Sequence, residues 1–363
     1  MSYATQKLRD ISVIKTGKLD SNAAVENGAY PFFTCDPQTL RINIWAYDTE
    51  AVLLAGNNAS GNYTAKYYRG KFNAYQRTYI IEAADSERLS VRFLCYAINQ
   101  QLRLLKTMSS GSTTKFLTIR MLHNLDIPCP EIEVQDRIVN VLGTIDDLIE
   151  NNQKQIKLLE EAARRLYKEW FVNFRFPGYE NTPIVDGVPE GWADGTLGDI
   201  AVFKRGKTIT KAQVSDGNIP VVAGGLEPAY YHNKANTTAP LITVSASGAN
   251  AGFTRLYNID VFASDCSYID SNSTPFLLFV YCFLKTNAMK LNSLQKGSAQ
   301  PHVYAKDLNA LVLSVPTEGV LTVFCDIVFP YFERIRLLQR ENEIAAQARD
   351  RLLPKLISGE IEV

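Results

Sequence analysis

The chain of 363 residues is poor in the residues that most enzyme chemistry needs. Its three histidines, His123, His232 and His302, are too few and too far apart for a histidine-based metal or nucleophile constellation. Its six cysteines, Cys35, Cys95, Cys129, Cys266, Cys282 and Cys325, include no Cys-x-x-Cys pair. Scattered thiols argue against a zinc site and a disulfide framework and favour a reducing compartment, the cytoplasm by default. No apolar run reaches membrane-spanning length, and the N-terminus lacks a charged segment followed by an apolar one. A membrane location is therefore not expected.

Catalytic signatures are also missing. The Gly-Lys pairs at 17–18, 70–71 and 206–207 lack the upstream glycine of a phosphate-cradling loop. There is no Asn/Asp-Pro-Pro-Tyr/Phe run of the kind that grips a base for amino-methylation, and no Pro-Asp…Glu-x-Lys nuclease pattern. Asp146 and Asp147 are adjacent on a helical stretch, where neighbours point in different directions, so they read as a solvated helix face. The expectation is a chain that catalyses nothing and binds no metal or cofactor itself.

What is present is a text written twice. Ile11-Ser12-Val13-Ile14-Lys15-Thr16-Gly17-Lys18 returns as Ile200-Ala201-Val202-Phe203-Lys204-Arg205-Gly206-Lys207, and Tyr30-Pro31 as Ile219-Pro220. Lys106…Gly111-Ser112-Thr113-Thr114 is echoed by Lys296-Gly297-Ser298-Ala299-Gln300. Each copy closes on a proline-flanked run, Leu125-Asp126-Ile127-Pro128 and Leu313-Ser314-Val315-Pro316, before a long amphipathic helix. A repeat of this size is a domain rather than a solenoid unit, which implies one job done twice.

Four segments follow: a mixed domain over 1–130, a helix over 131–175, a linker and second domain over 176–315, and a helix with tail over 316–363. In each domain, Val52-Leu53-Leu54, Thr78-Tyr79-Ile80-Ile81 and Leu241-Ile242-Thr243-Val244 read as strands. Val91 to Leu105, with Phe93, Ala97 and Leu104 apolar, and Phe276 to Leu291 read as helices. The seam Ile138, Leu142, Ile145, Ile149, Asn152, Ile156, Leu159, Ala163, Leu166, Trp170 advances in steps of four and three, as does Val328, Tyr331, Ile335, Leu338, Asn342, Ala345, Arg349, Leu352, Leu356. Pro354 should kink or end the second helix, and Arg349 should weaken its far end. Two such amphipathic helices are expected to pack on each other, antiparallel if a pseudo-twofold relates the halves, with Asn152 facing Asn342 to fix register. The fold class is thus mixed α+β, or α/β: two globular domains separated by an antiparallel two-helix coiled coil. Leu8-Arg9-Asp10-Ile11 matches Leu197-Gly198-Asp199-Ile200, so the termini should lie close together.

The candidate sites are polar loops recurring in both copies. Asn57, Asn58, Ser60 and Asn62, with Lys66 and Arg69 beyond them, combine amides with cations; Ser245, Ser247, Asn250 and Arg255 stand in the second copy. The Gly-Ser turns add Ser112, Thr113, Thr114 and Lys115 in one copy and Lys296, Ser298, Gln300 and His302 in the other. Asparagine and glutamine can pair with adenine, arginine and lysine with guanine, and lysine, serine and threonine with phosphates. Residues 1–130 carry fifteen Lys/Arg against ten Asp/Glu, and 176–315 ten against eleven, so only the first domain has a basic excess suited to a polyanion.

The whole pattern resembles the specificity subunit of Type I restriction-modification enzymes. The resemblance lies in Pro130-Glu131-Ile132-Glu133-Val134-Gln135-Asp136-Arg137-Ile138, Trp170-Phe171-Val172-Asn173-Phe174, Pro189-Glu190-Gly191-Trp192, Gly297-Ser298-Ala299-Gln300, and Arg351 to Ile361. The second helix departs from it, opening with Thr317-Glu318-Gly319-Val320. The resemblance implies two target-recognition domains that each read half of a split site in double-stranded DNA. It further implies two methylation (M) subunits bringing S-adenosylmethionine, and two restriction (R) subunits using ATP and Mg2+. Two other readings stay open: a DNA-modifying enzyme with unrecognised motifs, and a coiled-coil scaffold with no nucleic-acid role.

Overall fold

The structure, a computed structural model, describes residues 3–59, 61–109, 114–295 and 301–363. The chain divides into two units, Met1–Asn151 with Glu341–Val363, and Asn152–Arg340. Two helices, Ile132–Phe171 and Glu318–Ser358, contribute to both. Their 40 and 41 residues make each about 60 Å long at ~1.5 Å per residue.

In the first unit a mainly antiparallel sheet runs in the order Ser12–Thr16, Thr78–Ala83, Tyr47–Ala55, Ala65–Ala74, Tyr30–Phe33, Leu40–Ile42, with Tyr30–Phe33 parallel to its long neighbour. Val52, Leu54 and Ile81 turn one face toward the helix Val91–Gln100, while Leu53, Ile80 and Phe72 bury the other, the period-2 alternation of a strand covered on both sides. The second unit repeats this order as Lys204–Arg205, Cys266–Asp270, Leu241–Ser245, Thr254–Tyr257, and as Phe262–Ala263, Ile219–Val222, Tyr230–His232. The long strand Ala65–Ala74 of the first copy is here two strands, interrupted at Asn258-Ile259-Asp260. The proline-flanked runs close each domain in the same way, Asp126–Pro128 pairing with Thr5–Lys7 and Val312–Val315 with Ala193–Thr196.

The two expected domain helices are each broken. Val91–Gln100 and Leu102–Met108 meet at Gln101 (φ −97°, ψ 3°), and Leu277–Thr286 and Ala288–Ser293 meet at Asn287 (φ −99°, ψ 27°). The break resets the helical phase, so Leu105 is buried and Leu104, read as a core position, is half exposed.

The seams hold. Along the first helix Ile138, Leu142, Asn152, Ala163 and Trp170 are buried and the intervening seam residues half-buried; along the second, Val328, Ile335, Leu338 and Leu356 are buried. Within the first unit, Ile138 and Leu142 from the start of one helix share a core with Leu356 and Ile357 from the end of the other. Within the second, Ala163, Tyr167, Trp170 and Phe171 share a core with Leu321, Phe324 and Val328. In both, the helices therefore run antiparallel. Asn152 is buried and Asn342 half-buried, each on its own seam.

Two expectations need correction. The second helix does not end at Pro354 but runs on to Ser358. A proline removes one N–H from the helical ladder, and the burial of Leu356 and Ile357 just beyond it offsets that loss. Arg349 does not weaken its end of the seam, because Asp146 neutralises it at 2.9 Å. That pair also revises the Asp146-Asp147 reading: the carboxylates do diverge, but Asp146 is half-buried between Arg349 and the hydroxyl of Tyr96, and only Asp147, bonded to Arg92 at 2.7 Å, is mostly solvated.

The stretches that carried the resemblance have structural roles. Gln135 is fully buried: its Nε2 donates to Arg88 O (2.9 Å) and Pro130 O (2.8 Å), and its Oε1 accepts from Ser90 N (2.9 Å). The fourth residue of the second long helix is instead the buried Leu321. Trp192 packs among Phe171, Phe174 and Phe176, with ring centroids 5.9, 5.5 and 5.2 Å away, and so docks the linker on the end of the first long helix. Tyr3 and Val363 both pack against the core of the first unit, so both ends of the chain lie on that unit.

Candidate nucleic-acid interface

The Lys-x-Gly-Lys repeat positions backbone rather than phosphate. Gly17 N–H donates to Thr78 O (3.2 Å) and Gly206 N–H to Cys266 O (2.8 Å). A Cβ at Gly17 would lie 2.1 Å from Ala74 O, and one at Gly206 2.2 Å from Ser264 O, so only glycine permits the approach.

The two predicted loop families come together in each unit. In the first, Gly56 O accepts from Leu117 N (2.8 Å), and Asn57–Asn58 pairs antiparallel with Lys115–Phe116. In the second, Ala246 O accepts from Val303 N (3.0 Å), Ser247 bridges His302, and Gly248 N donates to Pro301 O (3.0 Å). Buried Leu117 and Val303 anchor the second loop of each pair. Asn57 and Asn58, read as loop, are thus a short strand, half-buried at the sheet end.

A third loop joins each cluster and was missed in the sequence. Gly56 N donates to Arg77 O (2.8 Å), and Ala246 N donates to Asp265 O (3.3 Å). The turns Tyr75–Thr78 and Ser264–Cys266 superpose in bonding, since Tyr75 N binds Phe33 O and Ser264 N binds Val222 O. No local motif marks these residues; only the pairing of Val52–Ala55 with Thr78–Ile81 delivers them.

Lys66 and Arg255 occupy matched strand positions, opposite Leu53 and Thr243, and both tie down a neighbouring loop. Lys66 Nζ donates to Asp36 O (3.3 Å) and Thr39 Oγ1 (3.1 Å), while burial holds its ammonium below the usual lysine range. Arg255 Nη1 donates to Leu226 O (2.8 Å) and its guanidinium lies 5.0 Å from the Tyr257 ring. Asn62 is exposed and accepts from Lys106 Nζ (2.7 Å). Thr114 is exposed and Lys115 half-exposed beside Asn58. Ser247 donates its hydroxyl to Asp265, and His302 lies parallel to Tyr304 with centroids 5.9 Å apart.

Two predicted residues, Arg69 and Ser245, stand apart. Arg69 lies opposite Glu50, about 13 Å along the strand from the loop at ~3.3 Å per residue. Ser245 is buried, its hydroxyl spent on Gly224 O (3.0 Å). Asn250 is half-buried in the short turn Gly248–Asn250 that follows Ser247, and its backbone carbonyl accepts from Phe253 N (2.9 Å). Ser60, Ser112, Thr113, Lys296, Ser298 and Gln300 lie outside the described residues. Among the described residues, no group of three or more His, Cys, Asp or Glu could hold a metal, and no helix is long and apolar enough to cross a membrane.

Two stretches, 2–161 and 189–345, match the family model of the Type I restriction modification DNA specificity domain. The chain belongs to that family. It holds two specificity domains, in a family that carries specificity rather than catalysis. It is 33% identical over 178 residues to the Type I restriction enzyme EcoDI specificity subunit of Escherichia coli, covering 49% of this chain and 38% of that one. To the MjaIX specificity subunit of Methanocaldococcus jannaschii it is 30% identical over 286 residues, covering 71% of this chain and 66% of that protein. It therefore spans less than two thirds of either relative. The crystal structure of a Type I restriction-modification system S subunit from M. genitalium shares the fold, with a TM-score of 0.62, 18% identity, and coverage of 98% of this chain and 96% of that one.

Proposed function

We propose that this chain is the DNA-specificity subunit of a Type I restriction-modification complex. Each unit's loop cluster reads one half of a bipartite site in double-stranded DNA. One observation carries this reading: the same backbone cluster of three loops is built twice, with different side chains on it. Loops on a rigid sheet are where binding residues concentrate, and differing polar side chains on one frame suit two different base sequences. Half-sites on one face of B-DNA lie about one turn, ~34 Å, apart, within reach of helices of about 60 Å at ~1.5 Å per residue.

In this reading 1–130 and 176–315 are exchangeable recognition domains, and the long helices space them and dock two methylation and two restriction subunits. Asn152 and Asn342 hold the register of the helices. S-adenosylmethionine, ATP and Mg2+ belong to those partners, and the complex works in the cytoplasm. The test is DNA retention and methylation by the purified chain with and without methylation subunits. The complex should mark one bipartite sequence in a salt-sensitive manner. Exchanging 1–130 should alter one half-site alone. Methyl transfer by this chain without a partner, or no salt-sensitive retention with partners supplied, would sink the proposal.

A further inference from the structure

Arg77 and Asp265 occupy one backbone position in the two copies. Each carbonyl accepts the N–H of the residue that opens the first loop, Gly56 or Ala246. Each is followed by a buried residue whose side chain turns inward to a matched carbonyl, Thr78 Oγ1 to Phe33 O and Cys266 Sγ to Val222 O. With the next residue pinned inside, Arg77 and Asp265 stand at the outer edge of the cluster, Arg77 exposed and Asp265 half-exposed. The frame is the same and the charge is opposite.

We propose, resting on the specificity reading above, that these two residues read one base pair each: Arg77 a guanine, Asp265 a cytosine. A guanidinium offers two parallel donors that fit guanine O6 and N7. A carboxylate beside a duplex is repelled by phosphates and gains only where a base edge presents a donor, which in the major groove is the amino group of cytosine in the usual pairing. The hydroxyl of Ser247 donates to Asp265 and fixes its orientation, as a reading group requires. The charge asymmetry between the domains, basic in the first and balanced in the second, then extends into the reading surface.

The experiment uses the full chain with methylation subunits, random-sequence plasmid DNA, and sequencing of methylated adenines. Arg77→Ala should relax a single guanine position in one half-site, and Asp265→Ala a single cytosine position in the other, each by about ten- to a hundredfold. Asp265→Asn keeps an acceptor for Ser247 and adds a donor, so its position should shift toward adenine. If Arg77→Ala weakens all sequences equally and lowers the salt slope by about one, Arg77 holds a phosphate and the assignment is overturned. If the wild-type complex marks a bipartite site and the Asp265 variants mark it unchanged, the assignment fails while the specificity reading stands. If the wild-type complex marks no bipartite site, the specificity reading itself fails.

Discussion

The guanidinium of Arg349 lies 2.9 Å from Asp146, joining the late part of the second long helix to the first half of the first. The other oxygen of Asp146 accepts the Tyr96 hydroxyl at 2.6 Å, so one carboxylate links a domain helix to both long helices of the first unit. Asp146→Ala removes the acceptor of the Tyr96 hydroxyl and one of the two carboxylates on Arg349, which keeps Asp350, and should cost about 1–2 kcal/mol. Arg349→Ala should cost about 1–2 kcal/mol, because the pair is partly solvated. A double-mutant cycle by urea unfolding should return a coupling of about 1 kcal/mol. Simple additivity would mean that the contact contributes nothing.

Gln135 and Leu321 test how the two copies anchor their helices. Gln135→Ala leaves a buried N–H and two carbonyls without partners, at about 1–3 kcal/mol each where water cannot reach. The first unit should then melt well before the second in calorimetry. Leu321→Gln should lower the second transition instead, because it sets an amide into the apolar core that Leu321 shares with Phe324 and Val328.

The two repeat glycines should be equally intolerant. Gly17→Ala and Gly206→Ala each drive a methyl into a backbone carbonyl, and a cost of about 3 kcal/mol or more is expected from the overpacking. Thermal unfolding of each variant should show loss in its own unit alone. Equal tolerance of alanine at both sites would contradict the close approach.

Burial pushes the Cys95 and Cys266 thiols up to about 12 and Cys325 to about 11. At pH 8 the folded chain should leave these three unalkylated, since the thiolate is the reactive form. The stability they contribute is whole below the unfolded thiol value of 9.0 and is lost as pH rises toward the folded values. Between pH 8 and pH 10 each should cost about 1.4 kcal/mol. Unchanged denaturation midpoints across that range would refute it.

The repeat, the strands and both seams were legible because long apolar periodicity outlasts local noise, as Ile138 through Trp170 illustrates. The break at Gln101 was not, since neither glycine nor proline marks it and the phase shift from Leu104 to Leu105 arises from packing on the sheet. Pro354 misled for the opposite reason: a strong local breaker was outweighed by tertiary burial beyond it. In the candidate interface, loops flagged by composition did converge, as with Asn57 and Lys115. Arg77 and Asp265 escaped notice because strand pairing across some twenty residues delivers them. Ser245 shows the converse, a polar loop residue consumed by its own fold.

The side-chain hydrogen bonds of Gln135 to its domain go to backbone groups: two carbonyls and one amide N–H. Every polypeptide supplies those groups, whatever its side chains. That one anchor is therefore indifferent to the side chains of the domain, whereas Tyr96 on Asp146, Arg92 on Asp147 and the apolar core shared with Ile138, Leu142 and Leu356 are contacts that a foreign domain would have to match. A domain exchanged near residue 130 would thus keep its backbone anchor without change, and would seat fully only where those side-chain partners came with it.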